Sequence, residues 1–474
     1  MFLQQLFVKG LGHASYLLGD ESAGVAAVID PRRDVDAYLE LARAEGLRIT
    51  DILETHVHND YVSGADELRH VTGATVRVAA EAGLTRPHQP LYDGDELLLG
   101  SLRIRAIATP GHTPEHLAFA VADLARSDDD WVLFSGGALL VGTAARPDLL
   151  GGPEEAARAA AVEFATLRER IAPLPDWVEL YPTHGAGSLC GSGIGGKRWS
   201  TIGYERRHNP ALSQPDADAF RRYILADQPT VPAYWRGMRS LNQTGASPLD
   251  ALADPCPMTA EALEHAAGHD AVIVDTRDPA AFAAGHIPGA LGIGLANSFG
   301  TWVGSVVPAD RNLVLVLDRP EDLHAAIAQL RRAGYDQVIG FLHGGFGAWR
   351  DSGRPVAQLA THTSDELAAA VAAGSIRVLD VREASEWREG HIAGALHVPG
   401  GTLPTRIDDV PVDRPLAVVC GSGYRSTVAA SLLLRAGRED VSNLSGGMTA
   451  YRAGGHPIIT DSASPSTIRQ EIPA

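Results

Sequence analysis

The chain has 474 residues, too many for one hydrophobic core, and at about 150 residues per domain it should divide into about three. Charged residues make up 21% and hydrophobic ones 45%, which excludes a disordered chain, and no run of about eighteen apolar residues offers a membrane span. A formal net charge of −18 repels phosphate backbones and anionic lipid, so neither nucleic acid nor a membrane surface is an expected partner. Three cysteines, Cys190, Cys256 and Cys420, are too few and too scattered for a disulfide framework. The apolar start MFLQQLFVKGLGHASYLLG lacks a basic n-region and a cleavage site, so a reducing cytoplasm is the expected location.

In chain order, the first chemical signal follows the strand-like Ile49–Glu54, in Thr55-His56-Val57-His58-Asn59-Asp60-Tyr61. Two histidines at i and i+2 with an acid two residues on suit a borderline divalent metal, which imidazole and carboxylate both bind. His112 sits in a glycine turn, Thr109-Pro-Gly-His112-Thr-Pro114, and His184 in Tyr181-Pro-Thr-His184-Gly. His13, His70 and His88 lie outside such contexts and read as ordinary polar side chains.

These segments resemble the metallo-β-lactamase superfamily, and within it the persulfide dioxygenases, over residues 1 to about 245. The resemblance includes Gly185-Ala-Gly-Ser-Leu-Cys190-Gly and Ser200-Thr-Ile-Gly-Tyr-Glu205 followed by Asn209-Pro. It implies an αββα sandwich and one iron(II) held by His56, His112 and an aspartate, with open positions for substrate. The aspartate should follow the strand Trp131–Phe134, yet Gly137 stands there, and Tyr61 replaces a histidine that the wider superfamily uses for a second metal. A dinuclear zinc hydrolase is thereby excluded. Three arrangements fit what is left: a metal (iron favoured, zinc the alternative) on His56, His58 and His112; a substitute ligand from Asp60, Asp148 or His184; or an empty site. Arg146 matches a family loop that faces substrate and would bind a carboxylate of a thiol carrier.

Proline, aspartate and asparagine break the helical periodicity after residue 205, placing a linker near 240–257. Beyond it the sequence repeats at about 105 residues: Val272-Ile-Val-Asp-Thr-Arg-Asp278 returns as Val378-Leu-Asp-Val-Arg-Glu383, and Gly285-His-Ile-Pro-Gly-Ala290 as Gly390-His-Ile-Ala-Gly-Ala395. Short β-branched runs alternate with Ala/Leu-rich helical stretches, the pattern of a parallel sheet covered by helices. The copies, 258–358 and 362–460, diverge where Leu416-Ala-Val-Val-Cys420 aligns with Leu313-Val-Leu-Val-Leu317.

Cys420 ends a strand and Thr427–Arg435 reads as a helix; between them Gly421, Ser422, Gly423, Tyr424, Arg425 and Ser426 can wrap their N–H groups inward as an anion nest that lowers a thiol pKa. With Asp380-Val-Arg382 and Gly390-His-Ile, this loop resembles the rhodanese family. That resemblance implies Cys420 as the nucleophile that carries sulfur as a persulfide, Gly421 to Ser426 as its cradle, and Arg425 as the attraction for an anionic donor. The middle copy carries Asp318-Arg-Pro-Glu-Asp322 at the same place and reads as a spacer or docking module without a nucleophile.

The expected protein is therefore a metallo-β-lactamase sandwich followed by two rhodanese-like α/β domains, acting on a low-molecular-weight thiol persulfide with sulfite or thiosulfate as partners, as a homo-oligomer. Its first domain binds or oxidises the persulfide and Cys420 transfers sulfane sulfur. Two other functions fit the same residues: a sulfurtransferase with a non-oxidative first domain, and a mononuclear zinc thioester hydrolase. The stretch from Asp461 onward reads as a poorly ordered tail.

Overall fold

In the computed structural model, residues 1–460 are described, and the tail read from Asp461 onward lies outside them. Strands Phe2–Val8, His13–Asp20, Val25–Ile29, Arg48–Leu53, Thr75–Ala79 and Gln89–Leu91 form a six-stranded sheet in that order, antiparallel across the first three and parallel thereafter. Strands Glu96–Leu99, Leu102–Ala108, Leu117–Asp123, Val132–Gly136, Glu179–Pro182 and Ser200–Thr201 form a second six-stranded sheet, also in sequential order. Successive strand residues face opposite ways, and both faces of each sheet are apolar. Tyr16 and Leu18 therefore meet Ile104, Phe119 and Phe134 between the sheets. Their neighbours Leu17 and Val28 face outward onto Tyr38 and Leu68 of helices Asp36–Ala44 and Ala65–Thr72. On the far side Ala118, Ala120 and Leu133 pack on Ala160 and Phe220 of helices Pro153–Thr166 and Ala217–Ile224. Each such fully buried Leu or Phe contributes about 1.5–3 kcal/mol, and the outcome is the expected αββα sandwich.

The two repeats share one sheet order. In the first copy it is Cys256–Met258, Val338–Leu342, Leu313–Val316, Val272–Asp275, Leu291–Gly292; in the second it is Ala360–His362, Val441–Leu444, Leu416–Val419, Arg377–Asp380, Leu396–His397. All strands of the second copy pair in parallel. Side-chain anchors repeat as well: Arg277 pairs with Asp275 and donates to the Gly285 carbonyl at 2.7 Å, as Arg382 does with Asp380 and the Gly390 carbonyl at 2.9 Å.

Close packing divides the chain differently from the repeat. One compact unit joins Met1–Met258 to Leu295–Val314 and Arg319–Phe341, and the other holds Thr259–Gly294, Leu315–Asp318 and the chain from Leu342. The middle repeat thus contributes to both. Among the described residues no helix is long and apolar enough to cross a membrane.

Candidate metal centre and persulfide loop

Loops at the ends of the two sheets bring together far more histidine than the sequence motifs announced. Strand Arg48–Leu53 delivers Glu54 to Asp60; the turn at Gly111, with φ of 149°, delivers His112; and His184 follows strand Glu179–Pro182. Ring centroids of His56 lie 5.0 Å from His112 and 6.0 Å from His184, and 6.0 Å separates His112 from His184. Potential ligand atoms of His56, His112 and His184 all lie within 4.8 Å of one another, and those of His58, Asp60 and His184 do the same. The sequence expectation placed His58 beside His56 and His112; its ring centroid lies 4.2 Å from that of His56, while its ligand atoms group with Asp60 and His184, and His184 joins both groups.

Hydrogen bonds assign the ring protons. The Arg146 carbonyl, 2.8 Å from His112 Nδ1, can only accept, so Nδ1 carries the proton and Nε2 keeps its lone pair. Thr55 gives its hydroxyl proton to Asp30 at 2.8 Å and so accepts from His56 Nδ1 at 2.9 Å, leaving His56 Nε2 free. The Nε2 atoms of His56 and His184, and both carboxylate oxygens of Asp60, are buried without hydrogen-bond partners. Leaving such atoms unpaired costs about 1–3 kcal/mol each. Burial holds His56 and His184 well below the usual histidine range and brings His112 down to about 4, so all three are neutral imidazoles at pH 7. Neutral, converging nitrogens, those of His56 and His184 without a partner, are the donor set a divalent ion needs, and the residues present fit one.

One neighbouring histidine is spent elsewhere, and another faces carboxylates. His116 accepts the Gly137 N–H at Nε2, 2.9 Å, and faces the Thr109 hydroxyl at Nδ1, 2.8 Å. His58 Nε2 stands 3.3 Å from Asp30 and 3.8 Å from Glu54; burial opposes its charge, but these carboxylates and Asp60 outweigh it and push the imidazole up to about 9. Asp30, with φ of 50°, is fully buried and also accepts from the Thr55 N–H at 2.7 Å and from the Thr183 hydroxyl. The sequence motifs did not include Asp30 or His116, and His13 was expected to be an ordinary polar side chain. His13 bonds the Asp30 carbonyl at 3.0 Å, and its ring centroid lies 4.0 Å from that of Tyr61 with the planes tilted by 40°. The signal available was His116 four residues after His112, on the same turn.

At Gly137 an added Cβ would lie 2.5 Å from His112 Cδ2, so this backbone leaves no room for a carboxylate side chain unless His112 moves. Asp148 is absent from both ligand groups; its two oxygens bind Arg146 at 2.7 and 2.8 Å. Arg146 is buried and also donates to the Pro229 carbonyl at 2.6 Å, so its guanidinium is already engaged. Helix Trp235–Thr244 braces the histidine loop from behind. Asn242 bonds the His58 and Tyr61 carbonyls and the Ser63 N–H at 2.8, 2.9 and 2.9 Å. Arg239 chelates Glu115, which accepts the Val57 N–H at 3.0 Å.

In the last repeat Cys420 follows strand Leu416–Val419 and is fully buried. Gly423, with φ of 103°, takes the left-handed turn into helix Tyr424–Arg435 and points its N–H at Cys420 Sγ, 3.1 Å away; the Ser426 hydroxyl is 3.3 Å from the same sulfur. Two donors converge on one sulfur, at the N-terminal end of a helix. Arg425 does not face an open loop: both terminal nitrogens bind Glu386 at 2.6 Å. Tyr424 reaches the Gly294 carbonyl at 2.8 Å, and Gly421 and Ser422 complete the turn.

The family model "Metallo-beta-lactamase superfamily" matches residues 8–184, and "Rhodanese-like domain" matches 258–352 and again 363–454. Persulfide dioxygenase ETHE1, mitochondrial, from Bos taurus is 29% identical over 218 residues, covering 45% of this chain and 76% of that protein. Hydroxyacylglutathione hydrolase from Pseudomonas putida (strain W619) is 34% identical over 169 residues, 36% of this chain and 60% of that protein. The solved structure of a metallo-beta-lactamase from Staphylococcus aureus subsp. aureus COL superposes with a TM-score of 0.64 at 31% identity, covering 72% of this chain and 98% of that one. The chain belongs to the metallo-β-lactamase superfamily and carries two rhodanese-like domains behind that fold.

Proposed function

We propose that this protein is an enzyme of reduced-sulfur metabolism that moves sulfane sulfur through Cys420 and binds a thiol persulfide at a metal centre in its first domain. The observation that carries the reading is the pair of donors, Gly423 N–H and Ser426 Oγ, aimed at one buried sulfur. A Cys420 thiolate would attack the outer sulfur of a persulfide RS–SH, forming Cys–S–SH and releasing the thiolate RS⁻. After loss of its proton, the outer sulfur would pass to sulfite, giving thiosulfate and regenerating the Cys420 thiolate. The Glu386 carboxylate neutralises Arg425, so the loop suits a singly charged or neutral thiol persulfide better than a dianion.

In the first domain His56, His112 and His184 would hold the ion, with His58 and Asp60 beside them. A divalent metal there supplies a Lewis acid and, as iron(II), a redox centre for oxidising the persulfide sulfur. The protein's own part is to keep the three imidazoles neutral by burial, to turn His112 and His56 inward through Arg146 and Thr55, and to hold Asp60 buried. The crowding at Gly137 favours a second reading, in which this domain binds persulfide without oxidising it and Cys420 does all the chemistry.

Oxygen uptake on adding glutathione persulfide to the metal-analysed protein separates the two readings. Uptake that tracks iron content and survives Cys420→Ser supports oxidation. No uptake, with sulfur transfer lost only in Cys420→Ser, supports the second reading; transfer unchanged in that variant overturns the proposal.

A further inference from the structure

Loss of its cysteine leaves the middle repeat without a nucleophile, yet half of it is packed into the same compact unit as the first domain. Its contacts include the end of the histidine loop and the neighbouring 31–34 segment. Two segments of the first domain are zipped together there: Gly64 N–H donates to the Pro31 carbonyl at 2.8 Å, and Arg32 bridges Ser63. A Cβ on Gly64 would lie 2.0 Å from the Arg32 carbonyl oxygen, so only glycine allows the approach.

The middle repeat grips both segments. Arg33, 2% exposed, binds both oxygens of Asp336 at 2.5 and 2.9 Å and the Arg331 carbonyl at 3.0 Å. In return Arg332 binds both oxygens of Asp34 at 2.6 Å. The Arg332 carbonyl accepts the N–H of Val62, two residues beyond Asp60, at 2.7 Å. On the other flank the Tyr234 N–H bonds the Gly304 carbonyl at 3.0 Å while its hydroxyl donates to the Asp60 carbonyl at 2.6 Å. A Cβ at Gly304 would lie 2.3 Å from Tyr234, so that ring is fitted against the repeat's backbone.

We propose that the cysteine-less repeat is a clamp that positions the His56–Asp60 loop for metal binding, with Arg332, Asp336 and Gly304 as its positioning residues. The inference rests on reading the histidine cluster as a metal site. Two reciprocal, bidentate arginine–carboxylate pairs fix direction as well as distance, and the backbone bonds to Val62 and Asp60 deliver that constraint to the loop carrying the ligands. This gives the repeat a function that survives loss of its nucleophile, with contacts from the end of helix Asp322–Arg332, from Asp336 just beyond it and from Gly304 in helix Phe299–Val306.

The test uses the full chain, with Arg332→Ala, Arg33→Met and the swap Asp34→Arg/Arg332→Asp. Cobalt(II) affinity is read by chelator competition, the ligand field from the visible spectrum of the cobalt protein, and loop order from amide hydrogen exchange of a peptide covering 56–64 without metal. Sulfur transfer at Cys420 and circular dichroism report intact folding. The clamp predicts ~10-fold weaker cobalt binding in the single variants, an altered spectrum, faster exchange in 56–64, and recovery of all three in the swap. Folded Arg332→Ala and Arg33→Met proteins with wild-type exchange and cobalt affinity would overturn it. Wild-type protein that takes up no cobalt would sink the metal reading alone, because exchange still decides the clamp.

Discussion

The metal cradle and the persulfide loop sit in the same chain but differ in how their buried polar atoms are satisfied. Around Cys420 the sulfur, Arg425 and Ser426 all have protein partners. In the first domain His56 Nε2, His184 Nε2 and Asp60 Oδ1 and Oδ2 have none. At one site the sulfur itself is partnered as folded; at the other several unpartnered ligand atoms converge on one place. Buried polar groups ordinarily find partners, so this convergence, rather than a lone orphan such as Glu163 or Asn443, is what a ligand from outside would complete.

The sharpest test of that contrast is removal of the thiol. Cys420→Ser should lower persulfide-to-sulfite transfer by ~10³-fold or more, as loss of a nucleophile does elsewhere, while cobalt uptake by the first domain stays unchanged. Metal addition should act in the opposite place. At about 100 times Kd, a divalent ion should raise the unfolding free energy of the first domain by about 2.7 kcal/mol, read as an upward shift of one thermal transition, with the Cys420 domain's transition unmoved. His112→Ala should abolish that shift. Ser426→Ala removes one of the two donors to the sulfur and should slow transfer ~10-fold, in line with a hydrogen bond to a charged group worth about 1.5–3 kcal/mol.

A smaller effect concerns pH. In metal-free protein His58 is raised from 6.5 to about 9 against burial, by Asp30, Glu54 and Asp60. A raised histidine stabilises the fold fully below its unfolded value and loses that contribution as pH rises through the folded one. Urea titrations of wild type and His58→Gln should therefore differ most at pH 6 and converge by about pH 10; a gap that widens with pH would contradict the ion-pair assignment.

Local patterns were legible in the sequence where a few adjacent residues carry the chemistry. Cys420-Gly-Ser-Gly-Tyr-Arg425 predicted a strand, a wrapped loop and a helix, and the turn at Gly423 delivers them, with the helix starting at Tyr424 and not at the expected Thr427. His56 and His112 were likewise marked by their turns and lie together. Less was visible where partners are distant in sequence. Arg425 was expected to attract a donor, but Glu386, 39 residues away, holds it. Arg146 was assigned to substrate, yet it closes on Asp148 and on the Pro229 carbonyl, 83 residues along. His13 and Asp30 carry no local signal because only the pairing of strands His13–Asp20, Val25–Ile29 and Arg48–Leu53 in the first sheet brings them to His58. The grip of Arg33 on Asp336 spans 303 residues, beyond any local pattern.

The central claim, that sulfur travels through Cys420, is tested most directly by mass spectrometry of the protein after one equivalent of thiol persulfide. The account predicts the mass of one added sulfur atom on the peptide containing Cys420, absent from those containing Cys190 and Cys256, and its disappearance on adding sulfite as thiosulfate forms. An unmodified Cys420 peptide, or sulfur that stays on it when sulfite is added, would contradict the account.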